Sequence, residues 1–178
     1  MRVHGDDVAE EDMGRMIDPY VVEDIHQPGQ YLVFYKQHPR DVAPRRTETG
    51  YPVEYMCYSS TNDLKHFRYE GYVECGENVC VIPWEDGYRI YNSPQNGVAC
   101  LKTKDFITYE REAPLTLGQE HWPWASSRLT AGFVLDAREV PGVGKYLMFF
   151  HGDEPGAFPF CASIGLAWSD DLITWQYR

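Results

Sequence analysis

The heptad TKDFITY at positions 103–109 has two counterparts in the chain, TNDLKHF at 61–67 and SDDLITW at 169–175. All three read [ST]-x-D-[LF]-x-x-[FYW], with aspartates at 63, 105 and 171. An alternating run precedes each: VEYMCYSS, NGVACLKT and SIGLAWS. Further upstream each unit carries a tyrosine-led run, GQYLVFY (29–35), DGYRIYNS (86–93) and GKYLMFFH (144–151). Upstream again stands a third run: DPYVVED (18–24), ENVCVIP (77–83) and AGFVLDA (131–137). Period-two alternation joined by short Gly-containing connections is the pattern of antiparallel strands and hairpins. The aromatic that closes each motif starts a possible fourth, edge strand. Self-similar units of this length with four strands predict propeller blades, in an all-β chain with no capped helical period.

The repeated aspartates read as turn residues. Asp placed between strands bonds main-chain N–H groups two residues on, and the following Leu or Phe and the closing aromatic are expected to pack between blades. Asp63, Asp105 and Asp171 are therefore poor catalytic candidates, although they are the most conspicuous acids.

The expected organisation is an acidic N-terminal segment, 1–14, then one propeller-like domain over 15–178. Its blades fall at about 15–72, 73–113 and 128–178, with an aromatic loop at 114–127. A chain of 178 residues suits one domain with a sizeable core. Its formal charge of −11 disfavours nucleic acid and anionic membrane as partners. No run approaches the roughly 20 apolar residues of a membrane span, and the N-terminus lacks an apolar signal region, so a cytoplasmic location is expected. The five cysteines include no CxxC pair; Cys57, Cys80, Cys100 and Cys161 lie in or beside apolar strand-like runs and read as small buried hydrophobes, and neither a disulfide framework nor a zinc site is expected. GxSxG, HExxH, Walker and GxGxxG motifs are absent from any suitable strand–helix context. No cofactor is implied.

One acid remains to be explained. In GRMIDPYVVED (14–24), Asp18 directly precedes Pro19 and a β-branched run. Proline fixes its own φ and biases the residue before it toward extended backbone, which makes Asp18 a rigid lead-in to its strand.

The [ST]-x-D-L-x-x-W unit, with DP opening one blade and EN the next, resembles the five-bladed propeller glycosidases of glycoside hydrolase families 43 and 32. The resemblance covers roughly residues 14–178. It implies that the first residues of successive blades face a central funnel and cleave a glycosidic bond there. By position, MIDP makes Asp18 the orienting carboxylate and GENVCV makes Glu77 the general acid, with Glu74 in YVECGE as the competing acid. Glu77 is preferred because it opens its strand as Asp18 does. Glycoside cleavage passes through an oxocarbenium-like state with an acid at the leaving oxygen and a carboxylate across the ring.

The third acid of these families comes from a blade before the IDP blade, which has no counterpart here. The start of the third unit, TAGFVLD, has no acid at its first position. The base is expected from the N-terminal segment, where His4, Asp6 and Asp7 lie, from a partner subunit, or not at all. Trp122, Trp124 and Arg128 in HWPWASSR suit a sugar-holding loop, and Trp122 and Trp124 equally suit a plug between blades. His151 and Lys36 end corresponding strands and are candidate funnel residues; Arg15 could pair with a carboxylate. Three blades do not close a ring at ordinary blade geometry, so three explanations stand open. The chain is part of a larger enzyme, or a homodimer or other self-assembly completes it, or it is a non-catalytic carbohydrate-binding or assembly module derived from such an enzyme.

Overall fold

The computed structural model describes residues 17–39, 41–94, 96–115, 117, 121–156 and 162–177. Arg15, His4, Asp6, Asp7, Cys161 and the whole 1–14 segment lie outside the described residues. The chain is all-β, in three four-stranded antiparallel sheets, each a simple meander in chain order. Blade 1 consists of β1 (Ile17–Glu23), β2 (Tyr31–Lys36), β3 (Tyr55–Thr61) and β4 (Arg68–Glu74). Blade 2 consists of β5 (Glu77–Trp84), β6 (Gly87–Ser93), β7 (Ala99–Thr103) and β8 (Glu110–Arg111). Blade 3 consists of β9 (Arg128–Ala137), β10 (Lys145–Asp153), β11 (Ser163–Ser169) and β12 (Gln176–Tyr177). No described helix is long and apolar enough to cross a membrane.

The heptad builds the same turn three times. The hydroxyl of Thr61, Thr103 or Ser169 accepts the N–H of Leu64, Phe106 or Leu172 at 2.9, 2.8 and 2.9 Å. The aspartate Oδ1 then accepts the next two N–H groups. For Asp105 these come from Ile107 and Thr108 at 2.9 and 2.8 Å, and for Asp171 from Ile173 and Thr174 at 2.8 and 2.7 Å. These main-chain bonds hold the carboxyls of Asp63, Asp105 and Asp171 below the usual carboxylate range. Leu64, Phe106 and Leu172 all carry φ between 56° and 62°, an uncommon conformation that the turn bonds stabilise.

Packing between blades runs in one direction. Phe106 of blade 2 sits among Phe34 and Tyr58 of blade 1 and Tyr88, with ring centroids 5.4, 5.3 and 4.7 Å away. Leu172 of blade 3 is fully buried and its carbonyl accepts the Tyr91 hydroxyl of blade 2 at 2.7 Å. Each motif thus packs on the preceding blade. Leu64 departs from the expectation of burial: its motif belongs to the first blade described, and it is 53% exposed.

The core falls into layers on either side of blade 2. Leu32, Phe34, Met56, Val81, Ile90 and Leu101 fill the space between blades 1 and 2, and Cys80, Tyr91, Cys100, Val134, Met148 and Phe150 that between blades 2 and 3. Cys57, Cys75, Cys80 and Cys100 are buried, and burial pushes the Cys80 and Cys100 thiols up to about 11 and about 12. Such thiols act as hydrophobes, not nucleophiles.

Candidate active site

The inner strands β1, β5 and β9 share one irregularity. Their pairing with the second strand of the blade slips between Ile17 and Tyr20, between Glu77 and Cys80, and opposite Phe149 and His151. Each is a β-bulge, which bends a strand and re-aims its side chains. Asp18 and Asn78 occupy equivalent bulge positions and both have φ of 55°. Asp and Asn are the non-glycine residues that enter this region most readily. Two expectations are corrected here. Asp18 is not extended before Pro19 but left-handed, and its equivalent in blade 2 is Asn78. Glu77 matches Ile17 instead: it pairs with Ser93 as Ile17 pairs with Lys36.

Lys36, Ser93 and the blade-3 His151, which pairs with Thr130, therefore stand at equivalent ends of the second strands. Lys36 Nζ donates to Glu54 Oε1 at 2.7 Å and to Glu77 Oε2. The three side chains are 27%, 31% and 28% exposed, which keeps the group open to a ligand. Burial works against the Lys36 charge, but the bonds and charges of Glu54 and Glu77 outweigh it and leave its pKa above the ordinary value. Burial, then the charge of Glu77, pushes the Asp18 carboxyl up, with Lys36 pulling the other way. Burial and the Arg128 guanidinium hold His151 below its ordinary value against the pull of Asp153 and Glu77. The fold thus gathers Asp18, Lys36, Glu54, Glu77, Arg128 and His151 from three blades.

Glu54 was not among the residues singled out from the sequence. It lies in the β2–β3 connection directly before β3, and only the fold carries it to Lys36. Trp122 and Trp124 stack on each other at 5.2 Å and on Phe150 at 5.8 and 6.1 Å, and Trp122 meets Tyr177 edge-on. A Cβ on Gly152 or Gly165 would come within 2.9 or 2.8 Å of Trp124. These rings are half-buried against the core between blades 2 and 3. Glu74 is held by Arg45, outside the Lys36 group.

Gly76 sets the start of β5. Its N–H donates to Asn92 Oδ1 at 3.0 Å, and a Cβ there would fall 2.0 Å from the Ser93 carbonyl oxygen and 2.5 Å from Pro94 N. Both obstacles are backbone, so Gly76→Ala must move β5 away from β6. Overpacking of this kind costs about 1–3 kcal/mol. At about 2–4 °C per kcal/mol for a chain of this size, thermal melting should show a loss of several degrees.

No protein-family model and no curated protein matches the sequence. Among solved structures, the whole chain superposes on Zg3597, a family 117 glycoside hydrolase produced by the marine bacterium Zobellia galactanivorans. The TM-score is 0.70 at 15% identity. The fold is that of a partial β-propeller. A structure of BT0996 in an RGII complex matches over 90% of the present sequence at TM-score 0.60 and 15% identity. A structure of the GH130 family of mannoside phosphorylases, which contains glycoside hydrolases that target β-1,2 mannosidic linkages in Candida mannan, matches over 92% at 0.56 and 15% identity. The chain spans 59%, 55% and 48% of the lengths of these three structures. At such identities the likeness is one of fold.

Proposed function

We propose that the protein is a glycoside hydrolase, acting on an oligo- or polysaccharide, with its active site at the Asp18–Lys36–Glu54–Glu77 group. The observation that carries this reading is the convergence of three carboxylates from two blades on one lysine, at the inner strands of a glycosidase-type propeller. Fold alone does not give function; paired carboxylates in a half-buried, ligand-accessible setting are what glycoside cleavage requires.

In the proposed reaction the Glu77 carboxyl gives its proton to the glycosidic oxygen as the bond from the anomeric carbon breaks. Water adds to that carbon, and Glu54 takes the proton that water loses. Glu54 thereby fills the place of the third acid. Asp18 orients the sugar and the acid. Lys36 positions Glu54 and Glu77 together, and its positive charge stabilises the Glu77 carboxylate left once the proton has been given up. His151 and Arg128, on the blade-3 side, supply donors to the sugar hydroxyls. The assignment to families 43 and 32 belongs to this proposal. Release of reducing ends from a panel of plant and microbial polysaccharides, compared with Glu77→Gln, tests it. Saccharide binding without any turnover would point instead to a carbohydrate-binding module.

We further propose that two copies pair through blade 3. Its outward face carries Phe133, Leu135, Phe149, Ile164 and Leu166, all at least 39% exposed. On the corresponding outward face of blade 1, Val33, Tyr35 and Cys57 are only 1–2% exposed, while their register neighbours Val21 and Tyr72 are 48% and 40% exposed, so blade 3 offers the more continuous apolar face. One open self-complementary face gives a two-fold dimer. A four-stranded sheet of about 20 by 25 Å buries about 1,000 Å² over both copies, near the lower limit for a specific interface. Light scattering should show a weak dimer whose mass falls on dilution. A monomer at every concentration up to about 100 μM would refute it.

A further inference from the structure

A cavity of 750 Å³ opens beside the proposed site, between the 47–54 connection and blade 2. Its walls include Glu54, which bonds Lys36, and Gly76, which directly precedes Glu77. It reaches from there past Ala99 on β7 to Arg111 on β8, the outermost strand of blade 2. Four strands at about 4.8 Å spacing make that path about 14 Å long, longer than a single sugar ring.

The lining has the chemistry of a hydroxyl-binding surface. Asn96 presents its amide NH2, its Oδ1 being held by the Leu129 N–H, the Thr49 hydroxyl lies beside that of Thr47, and Arg111 offers a fork of donors at the far end, fixed by a 3.0 Å bond to the Glu74 carbonyl. The two acids on its walls are ion-paired, Glu54 with Lys36, which it shares with Glu77, and Glu74 with Arg45. Among the described lining residues none is aromatic, so binding rests on hydrogen bonds to hydroxyls. The volume falls within the range of sites for drug-sized ligands, about 300–1,000 Å³.

We propose that this cavity is a second saccharide subsite that takes the sugar units beyond the scissile bond, so that the protein prefers neutral oligosaccharides longer than a disaccharide. The inference rests on the glycosidase reading above and adds a direction to it: the saccharide leaves the acids on the Glu54 side and runs outward over blade 2. Binding energy from units remote from the bond can then be spent at the reacting centre.

The probes are xylo-, arabino-, manno-, cello- and galacto-oligosaccharides of two and six units, titrated into the uniformly labelled protein and followed by amide shifts. In at least one series the hexamer should move the amides of Thr49, Asn96 and Arg111 as well as those near Asp18 and His151. The dimer of that series should move the latter set alone. Arg111→Ala, which removes the far donor from an edge strand, and Ala99→Ile, which fills the cavity, should each weaken the hexamer at least tenfold relative to the dimer. Hexamer and dimer perturbing the same amides, or Arg111→Ala leaving their ratio unchanged, overturns the subsite and leaves the hydrolase reading standing. Absence of shifts with every series overturns the glycosidase reading and the subsite with it.

Discussion

Glu77→Gln should lower kcat by two to four orders of magnitude on natural glycans, with almost no change in melting temperature. The size follows from what a positioned general acid contributes. Gln keeps the shape of Glu77, and its amide oxygen still accepts from Lys36 Nζ, but it has no acidic proton for the leaving oxygen. The stability change is small because Lys36 and Glu77 are 27% and 28% exposed, and such ion pairs contribute at most about 1 kcal/mol. The leaving group supplies the sharper test. A dinitrophenyl glycoside departs as a stable anion and needs no proton, so the variant should keep most of its rate on it. An equal loss on good and poor leaving groups would remove Glu77 from the acid's role.

What could be read from the chain, and what could not, divides along the range of the interactions. The heptad was legible because its turn is local: Thr103, Asp105 and the N–H groups that they bind lie within six residues. Residue types at fixed offsets encode that geometry directly. Blade order followed from it, since meander strands pair in sequence. The alignment of inner strands did not follow, because a bulge inserts a residue that no periodicity announces. That is why Asp18 was matched to Glu77 when its bulge partner is Asn78. Glu54 was hidden for a different reason. It sits 18 residues from Lys36 and 23 from Glu77, in a connection whose path the strands fix only once they are paired. The tryptophans had two readings from composition, and only Phe150 and Gly165, brought beneath them by β10 and β11, show what the rings rest on.

Asp18→Asn should melt above the parent protein at neutral pH while losing most of its hydrolytic activity. Burial and the charge of Glu77 raise the pKa of Asp18 above the ordinary aspartate value. Between that value and the raised one the folded state holds a proton that the unfolded state has released. Stability contributed by this group therefore falls as pH rises through that window, and the loss persists at neutral pH. Asn abolishes the charge and with it this penalty. It also tolerates the φ of 55° at this position, so the exchange adds no backbone strain. The advantage of the variant should shrink as pH is lowered through the window, where the parent regains its proton; paired melts from neutral to acid pH measure it. Asp171 provides the contrast: its pKa is lowered, first by the Thr174 N–H, so Asp171→Asn should destabilise at neutral pH. An acid kept where its charge costs stability is the mark of a functional position. If Asp18→Asn melted lower, as Asp171→Asn should, Asp18 would join the turn acids and the site would lose its orienting carboxylate.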